Sequence, residues 1–389
     1  MNQKDIAEIK RRLNPEKNSL TALRGLYVNN RGEIISDFDY APGSIPQEEL
    51  EKYLSLMKRS LSGTIGQNLL SVDFSSEQAE NGKEHGILMN MVRSGLTDDD
   101  ALAEFFDEAI DYIKKAGGSG AQSVESEQEA CNYLILMAHD NYDVPFRAAD
   151  GENDAERASE VFSYILCCLC PVKQTKPALS YFAQRNEFHS RLSDWVVSAP
   201  EMGFMFPAFE DGGADIYRAL FYTKDASDTR DDFTLRVFGS EMPMSALEQQ
   251  ETFQSIMLGA LGTDCNIKTV QAVHETISEK IKERSADRSA EPLSLTGGDV
   301  RKVLEECGVS GEKAEEFEQR YTEEFGEKAE IPAVNTLSPK QFKIKTPSVT
   351  INVDPERSDL VETRIIDGRQ YIMVLADGDV EVNGIKINW

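Results

Sequence analysis

Two runs of apolar residues constrain this chain more than anything else in it. They are Tyr133-Leu134-Ile135-Leu136-Met137-Ala138 and residues 161–170 (VFSYILCCLC). Both have the length of a strand, and neither alternates polar with apolar positions. A strand can carry such a run only where both of its faces are covered. They therefore read as central, doubly buried strands, separated by the polar stretch 150–156.

Helical spacing surrounds them. Ile6, Ile9 and Leu13 share one face of a first helix that stops near Pro15. Leu50, Tyr53, Leu54, Met57 and Leu61 recur along a second. Ser44-Ile45-Pro46-Gln47 has the pattern of a capping box before that second helix. Thr97 is placed to cap a third, whose apolar face holds Leu102, Phe105, Phe106, Ala109, Ile110 and Ile113; the glycines at 117, 118 and 120 read as an exposed loop after it. Asn29-Asn30-Arg31-Gly32 is a hairpin turn, and Glu210-Asp211-Gly212-Gly213 is another. Two further helices carry Leu247 to Leu261 and Ile267 to Ile281.

The expected class is α+β. The parts are a mixed-sheet core with flanking helices over 1–283, a linker at 284–298, a helical pair over 299–327 and a short-stranded β module over 340–389. Asp367-Gly368 and Asn383-Gly384 are the hairpin signals of that last module.

Composition narrows the partners. The chain has 389 residues and a net charge of −27, from 41 Lys and Arg against 68 Asp and Glu. Such an excess opposes non-specific attraction to nucleic acid and to anionic membranes. The most apolar stretch, 161–172, is too short for a membrane helix of about 20 residues. Charges interrupt the N-terminus where a secretory signal would be apolar. The six cysteines do not space as a disulfide framework. A cytoplasmic protein is expected. The first sixty residues are the exception in charge, with a net of +1, and Lys10, Arg11, Arg12, Lys17 and Arg24 form the one modestly basic zone. The second helix of the 299–327 pair is acidic, the wrong sign for a DNA-reading helix.

Candidate chemistry is sparse. Cys167, Cys168 and Cys170 lack the second cysteine pair of a tetrahedral zinc site, and on a strand Cys168 and Cys170 share a face that Cys167 does not. Packing is the reading for all three, and no metal or other cofactor is predicted. His139 and Asp143 leave the first apolar strand together, and His189 could meet them in space. A histidine beside carboxylates suits general acid–base chemistry. Against that, Asx-rich residues leaving a strand more often shape a turn. His85 reads as a loop residue and His274 as core-edge. Residues 62–68 (SGTIGQN) lack the lysine of a phosphate loop, and no G-x-S-x-G or H-E-x-x-H motif is present.

Residues 9–17 (IKRRLNPEK), 161–167 (VFSYILC), 171–181 (PVKQTKPALSY) and 355–364 (PERSDLVETR) together resemble one bacterial family catalogued as a domain of unknown function. The likeness spans nearly the whole chain and implies no activity. The order of elements also resembles bacterial nucleoid-associated proteins, a likeness of layout with no shared motif. The reading that follows is a binding or interaction protein without evident catalysis, acting on another protein or on a second copy of itself, with no membrane role. The alternatives are a nucleic-acid-binding protein and an enzyme using His139, Asp143 and His189.

Overall fold

The computed structural model describes the chain apart from residues 17–18, 120–130, 145–159, 211–212, 241, 243, 287–289, 328, 338–341, 377, 379, 383–384 and 388–389. It also leaves out the side chains of 116–119, 143–144, 160, 355–356 and 382. The loop expected over 150–156 and the Asn383-Gly384 turn lie outside the described residues. Contacts divide the chain into two compact units, residues 1–245 and 246–389.

In the first unit the elements run α1 (Gln3–Arg12), β1 (Leu20–Val28), β2 (Ile34–Tyr40), α2 (Gln47–Ser60), β3 (Leu69–Asp73), α3 (Ser76–Asn81), α4 (Lys83–Ser94), α5 (Asp99–Ser119), β4 (Asn132–Val144) and β5 (Glu160–Gln174). They continue with β6 (Ala178–Phe182), β7 (Glu187–Arg191), β8 (Trp195–Val197), β9 (Met202–Phe206), β10 (Ala208–Glu210), β11 (Gly213–Asp215), β12 (Arg218–Thr223) and α6 (Asp231–Phe238). An eight-stranded sheet is ordered β2-β1-β4-β5-β9-β12-β3, with β8 pairing β5 off that path. The class is α+β, and every ladder of this sheet is antiparallel where a mixed sheet was expected.

Both faces of the sheet are covered, which explains the two apolar runs. One face packs Ile135, Met137, Ile165, Cys167, Phe204 and Phe221 under residues of α4, α5 and α6. The other packs Leu134, Leu136, Leu166, Cys168 and Cys170 against α1 and α2. Successive residues of β4 and β5 thus enter different cores, and neither strand has a solvent face to mark with polar residues. Near the open edge Gly25 has its own reason to be glycine. Phe38, its cross-strand partner, lies where a Cβ would stand.

Four helix details differ from expectation. Pro46 keeps an extended backbone, so α2 begins at Gln47 and Ser44 bonds back to Ala41 instead of closing a capping box. Asp98, not Thr97, accepts the Ala101 amide at the start of α5, and Thr97 bonds Ser94. His85 lies within α4, buried, with Nε2 2.8 Å from the Ile216 carbonyl oxygen. α5 continues through Gly117 and Gly118 to Ser119, beyond which the expected loop lies outside the described residues.

The second unit gathers α7 (Ala246–Leu261), α8 (Ile267–Ala286), α9 (Gly297–Glu306) and α10 (Gly311–Phe325) around Phe253, Val300, Leu304, Phe317 and Tyr321. The short ladder of β13 (Ser294–Leu295) with β14 (Ile331–Pro332) closes this core. Leu295 is buried in it, and the stretch expected as a linker, 284–298, falls inside the second of the two units, with 287–289 outside the described residues. Three hairpins follow: β15 (Phe342–Lys345) with β16 (Thr350–Val353), β17 (Val361–Ile366) with β18 (Arg369–Val374), and β19 (Val380–Val382) with β20 (Ile385–Ile387). Asp367 and Gly368 both take positive φ in the turn between β17 and β18, as an Asp-Gly hairpin requires. The Gln271 amide on α8 donates to the carbonyls of Ser358 and Val361, tying this region to the bundle. Among the described residues no helix is long and apolar enough to cross a membrane.

Candidate functional site

The ends of β4 and β5 gather the polar side chains that the apolar runs exclude, and consecutive residues serve opposite faces. On the first face, His139 Nε2 lies 2.8 Å from Ser163 Oγ, and its Nδ1 is hydrogen-bonded to Thr21 Oγ1. Leu20 pairs Asp140 while Ala22 pairs His139, so Thr21 is the extra residue of a β-bulge. Bulges re-aim side chains, and this one turns a hydroxyl onto the imidazole. A neutral ring fits two hydroxyl partners, donating through one nitrogen and accepting through the other. Burial pushes the His139 pKa down, outweighing the nearby Asp140 charge.

On the other face, Arg12 grips Asp140 with two bonds, Nε to Oδ2 at 2.7 Å and Nη2 to Oδ1 at 3.0 Å. Tyr164 donates to Oδ2 at 2.7 Å, and Arg12 lies 4.2 Å from the ring centre of Tyr142. Burial alone would raise the Asp140 pKa. Hydrogen bonds from Arg12, Tyr164 and Ser19, with the charge of Arg12, hold it below the usual carboxylate range instead.

His139 and Ser163 line an open groove of about 540 Å³ with Thr21, Tyr40, Arg93 and Ser94. A serine hydroxyl against a neutral imidazole could in principle transfer a proton. The ring is oriented by a hydroxyl, however, because Asp140 points through the opposite face. The expected trio does not assemble. Asp143 pairs Val161 four residues along from His139, about 13 Å at strand spacing, and its side chain is not among those described. His189 sits exposed on β7, bound to Glu187 at 2.7 Å. Ile165 opposes His139, and β5 runs nine residues further, roughly 30 Å, before the segment that carries His189 begins.

The cysteines follow strand parity. Cys167 enters one core, whereas Cys168 and Cys170 enter the other with their sulfurs 3.8 Å apart. Burial pushes the Cys167 thiol well up, so it is held as a packed, protonated side chain. Among the described residues no group of three or more His, Cys, Asp or Glu converges to hold a metal. In the N-terminal basic zone Arg12 is committed to Asp140, and Arg24 pairs Asp39 and Asp99. Lys17 lies outside the described residues.

Residues 1–385 match the family described as Domain of unknown function (DUF4317). The chain belongs to that family. No curated protein matches it, and no solved structure does.

The feature of this DUF4317 member that sequence reasoning missed is a projecting ribbon. The β5–β8 ladder pairs Val172 with Val197 and Gln174 with Trp195, and Thr175 donates to the Asp194 carbonyl. The two chains then continue as the β6–β7 hairpin, from Ala178 opposite Arg191 to Phe182 opposite Glu187. Nine of its ten strand positions are exposed. Leu179 is 74% and Phe188 67% exposed, and Leu192 just beyond is 78% exposed. Lys173, Lys176, Arg185 and Arg191 stand against Glu187 and Asp194, a local net of +2 in a chain of −27. Among the described residues none of these four cations joins an ion pair. The signal was present in the Leu179 and Tyr181 alternation ahead of Arg185-Asn186, whose Asn takes the left-handed conformation at the turn.

The two-hydroxyl setting of His139 has a consequence for pH. A buried neutral histidine with a lowered pKa binds fewer protons than the unfolded chain does. Its contribution is therefore fully present above the unfolded pKa of about 6.5 and is lost as pH falls from there toward the folded value. The expected result is that His139→Gln flattens the fall in stability between about pH 6.5 and 5, measured by urea unfolding at a series of pH values. An unchanged slope would mean that His139 binds its proton equally well in the folded and unfolded chain.

Proposed function

We propose that this chain is a non-catalytic interaction protein whose recognition element is the ribbon of β6 and β7, hereafter the arm. The observation that carries the reading is nearly complete exposure of a two-stranded hairpin bearing Leu179, Tyr181, Phe182 and Phe188. An isolated hairpin is marginal in water, and a patch of this kind is characteristic of a surface that is covered in use. The satisfied bonding of His139 and Asp140 supports a structural task for the residues that most resembled an active site. Six free cysteines, three of them sunk in the core, suit a reducing compartment, and the cytoplasm is where we propose it acts.

The test is a native mass spectrum of the protein purified gently from its host, for the wild type and for Tyr181→Ser with Phe188→Ser. A retained polypeptide lost in the variant is the expected result. Retention of the same partners by the variant, or turnover in a hydrolase and transferase screen, would overturn the reading. A nucleic-acid role, the second reading, draws its support from the exposed aromatic rings of the arm and from the four cations on and beside it, which join no ion pair among the described residues. The N-terminal arginines offer it less, since Arg12 and Arg24 are already paired.

A further inference from the structure

The arm lacks a cover, and the same chain carries a surface of opposite character. β2 ends the main sheet, so its outer edge is open among the described residues. It is seven residues long with no proline or lysine, the devices that usually protect such an edge. Ile34, Ile35 and Tyr40 on it are exposed, and its charged residues are Asp37 and Asp39. The arm offers open strand edges, exposed apolar side chains and a net positive charge.

We infer that the arm of one molecule packs along the open β2 edge of a second copy, an inference that rests on the arm being the recognition element. Leu179 and Leu192 decide against nucleic acid as the cover, because aliphatic side chains neither stack on bases nor pair with phosphates. A membrane is disfavoured by the tip, Gln184-Arg185-Asn186-Glu187, which would have to enter the lipid first. Strand addition at an open edge supplies main-chain hydrogen bonds, and apolar contacts with Ile34 and Ile35 cover the leucines. Arg185 and Arg191 face an edge carrying Asp37, which sets the orientation. If each molecule gives its arm and receives the other, the exchange closes a two-fold dimer.

Sedimentation velocity on the full chain at low and high salt tests this. The wild type is expected to dimerise, more weakly as salt rises. Arg185→Glu with Arg191→Glu should weaken the dimer about tenfold or more. Asp37→Lys should weaken it too, and all three changes together should restore association. These side chains are exposed, and an unchanged circular dichroism spectrum checks that each variant folds. A wild type that stays monomeric at every concentration overturns the inference, as does a dimer indifferent to these substitutions. Binding of a fluorescent single-stranded oligonucleotide through the arm of a monomer would overturn it in favour of a polyanion. In either case the interaction reading stands or falls separately, on whether Tyr181→Ser with Phe188→Ser releases a retained polypeptide.

Discussion

Arg12→Ala will destabilise the first unit by about 3–5 kcal/mol, the range for a buried charge left without its partner. Asp140 is only 1% exposed, and Arg12 supplies two of its hydrogen bonds as well as its counter-charge. With the guanidinium gone, the carboxylate must either stay charged among apolar side chains or take up a proton. The loss is therefore expected to shrink as pH falls. In the wild type the Asp140 pKa is depressed, so its contribution is complete above the unfolded value of about 3.9 and disappears as pH drops through the lower folded one. Urea unfolding of both proteins near neutral pH and near pH 3 measures the difference. An equal loss at both would indicate that packing of Arg12 on Tyr142 matters more than its charge. Replacing the group together, with Arg12→Met, Asp140→Leu and Tyr164→Phe, should recover most of the stability, because no polar atom of the three is left unpaired.

Phe204→Ala should cost about 3–5 kcal/mol for a different reason. Phe204 is 1% exposed, with its ring centre 5.9 Å from that of Phe105 on α5 and 5.3 Å from that of Phe238 on α6. Truncation removes the body that joins two helices to the sheet and leaves a cavity that backbone strands close poorly. Phe204→Leu keeps most of the volume and should cost about half as much or less. Equilibrium unfolding with unchanged m-value checks both. A loss below about 1 kcal/mol for alanine would mean that the site collapses around the missing ring.

The periodic parts of the fold were legible because their cause is local. Ile6, Ile9 and Leu13 lie on one helix face and are all buried, and the runs at 133–138 and 161–170 are the two central strands. What escaped depends on distant partners. α4 hides His85 because Ile216 accepts its ring, 131 positions away. The arm has too few apolar contacts of its own to resemble a core strand. At the candidate site His139 was visible as a residue type, but its partners are set by pairing across β1 and β5. Thr21 is 118 positions away and reaches the ring only through a bulge. Asp143 and His189 were chosen for chemistry, and no ladder carries His189 to the ring.

The polar ends of β4 and β5 have one more effect, on which residue meets which as the sheet forms. Over most of the thirteen paired positions of this ladder, apolar side chains oppose apolar ones on both faces. A shift of one position would bury nearly as much area, so hydrophobicity alone tolerates several alignments. In the observed one Asp140 stands opposite Tyr164, and Ser163 comes within reach of His139. Any slip takes the Tyr164 hydroxyl from the Asp140 carboxylate and the Ser163 hydroxyl from the His139 ring, at a cost of about 1–3 kcal/mol for each buried group left short of a bond. The residues that looked most like catalytic groups thus act as a tooth and notch for the two longest strands. They exclude the misaligned sheets that the apolar runs would otherwise accept.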